Sequence, residues 1–101
     1  MTGLSIEYLP VAALRPWARN ARTHSRKQVR QLVDSITTFG FISPVIVDAE
    51  NTILAGHARV EAAKLAGLDE VPCVRVKDLS DARKRAYVLA DNKLALNAAW
   101  D

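Results

Sequence analysis

The residues that decide the fold read Ile53-Leu54-Ala55-Gly56-His57-Ala58-Arg59-Val60-Glu61-Ala62-Ala63. A short apolar run ends at a glycine and an alanine-rich helical pattern follows at once, which predicts a strand, a tight turn and a helix. Gly56 lets the backbone approach a ligand closely, and the first N–H groups of the helix have no intrahelical acceptor. Because the helix dipole places partial positive charge at the same end, the turn predicts an anion site that suits a phosphate.

A charged side chain strengthens this prediction. Arg59 lies within the first turn of the predicted helix, and its planar fork of donors suits phosphate oxygens better than a lysine does. The alternative is that Gly56 only makes a tight turn and that Arg59 only faces solvent. The local pattern favours neither interpretation, because short glycine motifs often occur without a ligand.

The composition is that of one soluble globular domain. The chain has 101 residues, of which 50% are hydrophobic and 25% are charged, and this balance excludes the disordered and membrane-spanning classes. We expect a single domain over residues 1–101, long enough to bury a core. Cys73 is the only cysteine, so no intrachain disulfide forms, and we expect no secretory signal. The expected compartment is the cytoplasm, without membrane contact.

Positive charge is concentrated between residues 15 and 30. The net charge of the chain is +3, yet this segment alone carries six cations and no Asp or Glu. These cations repel one another unless a polyanion neutralises them, so the segment predicts a site for DNA or for nucleotide phosphates. The alternative is a solvated basic loop. The predicted DNA-binding residues are Arg15, Arg19, Arg22, Arg26, Lys27 and Arg30.

Strands and helices are expected to alternate along the rest of the chain. Ser25 is a predicted N-cap with Gln28 in the capping-box position, and Gly40 ends that helix. The apolar residues of that helix have the spacing of a buried stripe; they are Val29, Leu32, Val33 and Ile36. Pro72 places its strand near an edge of the sheet or at a strand start. The expected strands cover residues 5–9, 44–47, 53–55 and 71–76, with a hairpin between the second and third. The expected helices cover residues 26–39, 57–66, 80 or 81 to about 91, and 92–99, the last either continuing the third helix or following a kink.

Several of these segments together resemble the N-terminal domain of the ParB family. They are Asn20-Ala21-Arg22, Gly40, Ser43-Pro44-Val45, Ala55-Gly56-His57-Ala58-Arg59, Ala66-Gly67 and Val71-Pro72. The resemblance spans nearly the whole chain. It implies an α/β (α+β) fold of the ParB/sulfiredoxin type, with a small mixed sheet and three to four helices.

The resemblance also implies a nucleotide site. In that family the matching segments build a site for cytidine triphosphate, so the implied ligand is CTP or ATP with Mg²⁺. The implied phosphate-binding residues are Gly56, His57 and Arg59, supported by Arg22, with Asp91 near the metal and Asn92 near the phosphates. The sequence departs from the family pattern at four positions, because Ala21 replaces a proline, Ser43 a glutamine, His57 a glutamate and Ala58 an arginine. The turn therefore lacks one guanidinium and one carboxylate of that pattern.

Sulfiredoxins share this fold and place a reactive cysteine where this chain has His57. Cys73 does not replace that cysteine, because it follows Pro72 on a predicted strand and is most simply a small core residue. Sulfiredoxin chemistry is therefore excluded. The interpretation adopted is a nucleotide- or DNA-associated module. The alternative is an active NTPase or phosphotransferase, which needs a carboxylate base such as Glu61 or Asp91 beside the turn.

A last resemblance concerns a longer protein. Residues 86–97 resemble the segment found where a ParB-like domain is fused ahead of a DNA-modification methyltransferase, in phages or mobile elements. The helical pattern continues to Asp101 without a C-cap glycine. We therefore expect this chain to be the N-terminal piece of such an enzyme, with no catalytic residue of its own. The sequence leaves the oligomeric state open between a monomer and a homodimer.

Overall fold

Within residues 5–17 and 25–98, which are those that the computed structural model describes, four strands alternate with three α-helices. Side chains are described as far as residue 91. The strands are β1 (Ile6–Pro10), β2 (Val45–Val47), β3 (Ile53–Ala55) and β4 (Glu70–Arg75). The helices are α1 (Arg26–Phe39), α2 (His57–Leu65) and α3 (Asp81–Ala98). This order confirms the expected α/β class.

The strands form one mixed sheet in the order β1-β4-β2-β3. The pair β1 and β4 is antiparallel, and the pair β4 and β2 is parallel, with Val45 opposite Cys73. The pair β2 and β3 is antiparallel, which confirms the expected hairpin. Because β2 and β3 are adjacent and antiparallel, the start of β2 and the end of β3 lie together. The turn at Gly56 is therefore held beside Val45.

The expectation that Pro72 marks a sheet edge is wrong. Its strand, β4, lies inside the sheet between β1 and β2, and Pro72 itself is buried. The ladder to β2 begins only at Cys73, so the missing N–H of Pro72 removes no hydrogen bond from that ladder. The other half of the expectation, a position near a strand start, is confirmed.

The core lies between the sheet and α2. Its fully buried side chains come from the central strands and include Val45, Val47, Val71 and Cys73. Two alanines of α2, Ala62 and Ala63, have no exposed surface, and small side chains at these positions let the helix approach the sheet closely. The prediction that Cys73 is a core residue is confirmed. Burial raises the pKa of its thiol, which leaves it protonated and unreactive.

Helix α1 begins and ends as the sequence predicts, but it is less buried than expected. The Ser25 hydroxyl accepts the N–H of Gln28 at 3.1 Å, and Gly40 closes the helix with a φ of 85°. Of the predicted apolar stripe, only Val29 is buried, at 6% exposure. The reason is that α1 packs on α2 rather than on the sheet, so the rest of its stripe is half-buried.

Helix α3 runs along β3 and is uninterrupted from Asp81 to Ala98, so the helical residues expected from 92 onward belong to the same helix. The Ser80 hydroxyl accepts the N–H of Arg83 at 3.2 Å and starts the helix, as expected. Val88 is its buried contact with the rest of the molecule, at 4% exposure. Among the residues described here, no helix is long and apolar enough to cross a membrane.

A buried carboxylate joins α3 to the β2–β3 turn. Asp48 is 3% exposed, and one of its oxygens accepts the N–H groups of Glu50 at 2.8 Å and Thr52 at 2.9 Å. Its other oxygen accepts from the Lys84 ammonium at 3.1 Å. Its backbone carbonyl accepts from Arg75 at 2.8 Å. Arg75 in turn forms two hydrogen bonds of 3.0 Å with Glu7 on β1.

These contacts set the charge state of the pair. Burial alone raises the pKa of the Asp48 carboxyl, but the N–H groups of Thr52 and Glu50 and the Lys84 ammonium outweigh it and hold the pKa below its usual 3.8. The hydrogen bond to Asp48 raises the pKa of Lys84 above 10.5. The folded state therefore favours the ionised pair.

We predict that Asp48→Asn lowers the free energy of unfolding by about 2–4 kcal/mol at pH 7, because Lys84 loses its partner in a buried place. Since folding lowers the pKa of Asp48, its contribution is complete above the unfolded value of about 3.9 and is lost as the pH falls further. Urea unfolding between pH 7 and pH 3 measures the difference between the two proteins. That difference should shrink below about pH 4.

Glu7→Gln is the matched control for this prediction. It removes one charge from the Arg75–Glu7 ion pair, whose carboxylate side chain is 43% exposed, so we expect a clearly smaller loss than for Asp48→Asn. An equal loss from both substitutions would contradict the importance assigned to Asp48.

Candidate anion-binding site

The turn between β3 and α2 has the geometry that the sequence predicts. Gly56 is the N-cap of α2, with a φ of 103° and a ψ of 22°, a left-handed conformation that favours glycine. A Cβ at this position would lie 3.4 Å from the Cα of Val45. The N–H of Val60 donates to the Gly56 carbonyl at 3.0 Å, and no side chain caps the helix ahead of that bond. The positive end of α2 thus ends in backbone donors without a side-chain cap.

A second segment lies against this turn. The backbone of Arg15 donates to Asn51 at 2.9 Å and accepts from Ile53 at 2.8 Å, which places residues 15–17 along the outer edge of β3. Two residues later, the N–H of Trp17 donates to the Nε2 of His57 at 3.2 Å. The first part of the basic segment is therefore tied to the first turn of α2.

Arg59 faces a groove rather than open solvent. It is half-buried and lines a cavity of about 300 Å³ together with Ser43 and the end of α1. Phe39 and Ile42, at the same cavity, remain 70% and 72% exposed. The arrangement combines one guanidinium, the hydroxyls of Ser35 and Ser43, and an apolar wall, which suits a ligand that has both a charged and a flat apolar part.

The described cations of the basic segment remain available to a partner. Arg15, Arg26, Lys27 and Arg30 are exposed, and within the described residues none of the four takes part in an ion pair. Arg26 and Arg30 line a second cavity, of about 430 Å³, between α1 and α2. Two members of the predicted set, Arg19 and Arg22, lie outside the described residues.

Glu61 lines the cavity of Arg26 and Arg30, not the groove of Arg59. The sequence contains no acid between residues 15 and 30, but the fold brings this carboxylate close to two of its cations. Glu61 is therefore not positioned as a base beside Arg59. Nor does it form a metal site with His57, because the described part of the chain contains no group of three or more His, Cys, Asp or Glu side chains that could hold a metal.

The predicted metal and phosphate residues on α3 stay predictions. Asp91 is half-buried and lies one turn after Tyr87, whose pKa is raised by burial and by the Asp91 charge. Asn92 belongs to α3, and its side chain lies outside the described residues. The structure therefore brings together Gly56, His57 and Arg59, and it leaves the contribution of α3 to experiment.

Sequence reasoning missed two features of this site. It did not include Trp17 as a backbone donor to His57, because such a contact depends on the path of residues 15–17 along β3. It also did not include the apolar wall formed by Phe39 and Ile42. An exposed aromatic residue next to the helix-ending Gly40 was the only sequence signal for that wall.

Comparison with known proteins identifies the family. The profile of the ParB N-terminal domain matches residues 2–93. The chain belongs to this family. It is 48% identical over 82 residues to the ParB-like nuclease domain-containing protein YnaK of Escherichia coli K12, covering 81% of this chain and 94% of that protein. It is 37% identical over 95 residues to the chromosome-partitioning protein Spo0J of Thermus thermophilus, covering 90% of this chain but only 35% of that protein.

Solved structures confirm the ParB/sulfiredoxin-like fold. The C-terminally truncated ParB of Caulobacter crescentus, complexed with CTP-gamma-S, aligns with a TM-score of 0.78 and 26% identity over 87% of this chain and 52% of that one. The sulfiredoxin of Arabidopsis thaliana aligns with a TM-score of 0.69 and 25% identity over 83% of this chain and 97% of that one. The ParB N-terminal domain described here thus shares its fold with proteins of different chemistry, so its function depends on the residues of its own site.

We predict that Gly56→Ala destabilises this ParB domain by about 1–3 kcal/mol, because the backbone conformation is strained for alanine and the new methyl group contacts Val45. Gly67→Ala is the matched control. Gly67 also has a positive φ, of 79°, but a Cβ there meets nothing within 4 Å. Thermal unfolding of both variants measures the difference. Equal losses would show that Val45 does not restrict position 56.

Proposed function

We propose that this ParB N-terminal domain is a nucleotide-binding module that places the phosphates of a nucleoside triphosphate on the turn Gly56–Arg59. The observation that carries the proposal is the combination of an uncapped helix N-terminus, a left-handed glycine and Arg59 in one place. Backbone N–H groups and the helix dipole attract an anion, and the guanidinium adds charge-assisted hydrogen bonds. The complex of the Caulobacter crescentus relative with CTP-gamma-S supports CTP as the first ligand to test.

The groove next to Arg59 is the proposed location of the sugar and base. Phosphates at the helix start leave the sugar and base to extend toward Ser43 and the exposed faces of Phe39 and Ile42. A nucleobase has a flat apolar face and a polar edge, and both kinds of surface are present there.

Binding without hydrolysis fits the site better than catalysis. An NTPase needs a base or a residue that orients water beside the terminal phosphate. Glu61, the carboxylate closest in sequence to the turn, lines the other cavity. A magnesium ion is usually held by one or two carboxylates together with the phosphates themselves. We propose that Asp91 supplies one such carboxylate, and the bound Mg²⁺ would neutralise part of the phosphate charge.

Calorimetry with CTP, ATP and GTP, each with and without Mg²⁺, tests the proposal. We expect Arg59→Ala to weaken triphosphate binding by about ten- to a hundredfold, because it removes charge-assisted hydrogen bonds of roughly 1.5–3 kcal/mol. Arg85→Ala is the control, since Arg85 is an exposed arginine on α3 and changes the net charge equally. Unchanged affinity in a folded Arg59→Ala protein would refute the site, and phosphate release by the wild type would favour the NTPase alternative.

DNA binding is a second candidate, supported by the exposed cations of α1. Arg26, Lys27 and Arg30 lie within five residues of one another, and none is paired among the described residues. Binding through phosphates releases condensed counterions, so affinity that depends on these residues falls steeply with salt. Arg15, Arg19 and Arg22 belong to the same proposed surface.

We predict that replacing Arg26, Lys27 and Arg30 together by alanine reduces the slope of log K against log salt by about 2–3, since each lost phosphate contact removes about 0.9. Fluorescence anisotropy with a labelled duplex at increasing salt gives this slope. The control replaces Lys77, Arg83 and Arg85, three exposed cations elsewhere, by alanine. The same change in both proteins would mean that only net charge matters, and no binding at low salt would exclude the DNA role.

We also propose that the module serves a longer cytoplasmic protein that modifies DNA. The support is the resemblance of residues 86–97 to the segment ahead of DNA-modification methyltransferases. Residues 1–101 contain no glycine-rich strand for S-adenosylmethionine and no Asn-Pro-Pro-Tyr motif, so methyl transfer would belong to another part of that protein. The parent gene beyond the codon for Asp101 tests this directly, because a stop codon there would refute it.

A further inference from the structure

His57 stands at the centre of the phosphate turn, yet it makes a contact that the proposed ligand does not require. Its Nε2 accepts the backbone N–H of Trp17 at 3.2 Å, across a sequence separation of 40 residues. A ring nitrogen accepts a hydrogen bond only when it carries no proton. The contact therefore corresponds to a neutral imidazole with its proton on Nδ1.

This bond completes the attachment of residues 15–17. Arg15 is held by two backbone hydrogen bonds to the β2–β3 hairpin, one to the Asn51 carbonyl and one from the Ile53 N–H. Pro16 has no N–H to donate, so the next backbone donor is Trp17. His57 accepts from that donor, and the segment is thus fixed at both ends against β3 and α2.

We propose that His57 is a positioning residue of the anion site, fixing Trp17 and the start of the basic segment against the first turn of α2. The inference rests on the proposed nucleotide function. Arg15, the first cation of the basic segment, belongs to the same attached stretch as Trp17. A stretch that is fixed in advance loses less conformational entropy when a phosphate binds beside it.

The chemistry of histidine suits this role better than a carboxylate. A glutamate side chain would accept the same N–H, but it would place a negative charge beside the proposed phosphates. A neutral imidazole accepts the bond without adding charge at the positive end of the helix. His57 therefore links residues 15–17 to α2 and leaves the electrostatic potential at the helix start favourable for an anion.

A comparison of His57→Ala with His57→Gln tests the role. The Gln carbonyl oxygen takes the place of Nε2 and retains an acceptor, whereas alanine removes it. In a Trp100→Phe background Trp17 is the only tryptophan, so acrylamide quenching reports its exposure. We expect His57→Ala to increase quenching and to speed exchange of the Trp17 amide about tenfold, with His57→Gln close to wild type.

The same variants are then titrated with CTP and with inorganic tripolyphosphate. We expect His57→Ala to weaken binding by about three- to tenfold, the effect of one neutral hydrogen bond, and His57→Gln to restore it. Lys64→Ala, an exposed change at the other end of α2, is the control and should leave both signals unaltered. Circular dichroism checks that all variants are folded.

The outcomes separate this inference from the proposed function. Binding of tripolyphosphate but not CTP would refute the nucleotide function and leave the positioning role testable with the inorganic anion. Unchanged quenching and exchange in His57→Ala would overturn the inference whatever binds. A looser Trp17 with unchanged anion affinity would also overturn it, because the contact would then be structural only.

Discussion

The buried carboxylate of Asp48 is the interaction on which the rest of the structure depends. It closes the β2–β3 turn by accepting two backbone N–H groups, and it holds α3 through Lys84. Its backbone carbonyl accepts a hydrogen bond from Arg75, which also donates to Glu7 on the edge strand β1. An ionised side chain in this position has to be fully bonded, because a buried charge without partners costs several kcal/mol. One residue therefore joins the hairpin, the central strands and α3.

The geometry of the candidate site depends on the β2–β3 hairpin. Strand β3 has only three residues, so the position of the β2–β3 turn determines where Gly56 lies. The antiparallel pairing then brings Gly56 against Val45, a residue with no exposed surface. The same hairpin accepts the backbone of Arg15, which brings Trp17 to His57. The candidate anion site thus consists of three chain segments that meet at this hairpin.

Local sequence signals predicted the fold well because each element carries its own start and end. Ser25 caps α1, Gly40 ends it, and Gly56 separates β3 from α2, all as expected. The predictions were wrong where the position of an element depends on the elements packed against it. Pro72 indicated either an edge strand or a strand start, and only the second is correct, since β4 is central and its pairing with β2 begins beyond the proline. The apolar stripe of α1 indicated full burial, but its partner is another helix and not the sheet.

The candidate site was predictable only where it depends on local sequence. Gly56 and Arg59 follow from a local pattern, whereas the Trp17–His57 contact joins residues 40 positions apart and has no local signature. The separation of Glu61 from Arg59, in contrast, follows from helix geometry. On the sequence it follows Arg59 by two residues, which suggests one site, but on a helix residues two apart face different directions. The fold therefore assigns Arg59 and Glu61 to separate cavities.

Helix α1 lines both of these cavities, so the proposed nucleotide and DNA sites share one helix. Its C-terminal half, with Ile36 and Phe39, faces the groove of Arg59, while its N-terminal half, with Arg26 and Arg30, faces the other. Only Val29 of this helix is buried, so α1 is held less firmly than the sheet and α2. A ligand that contacts α1 in one groove restricts the same helix that forms the other. By linkage, any effect of nucleotide on DNA affinity must then equal the effect of DNA on nucleotide affinity.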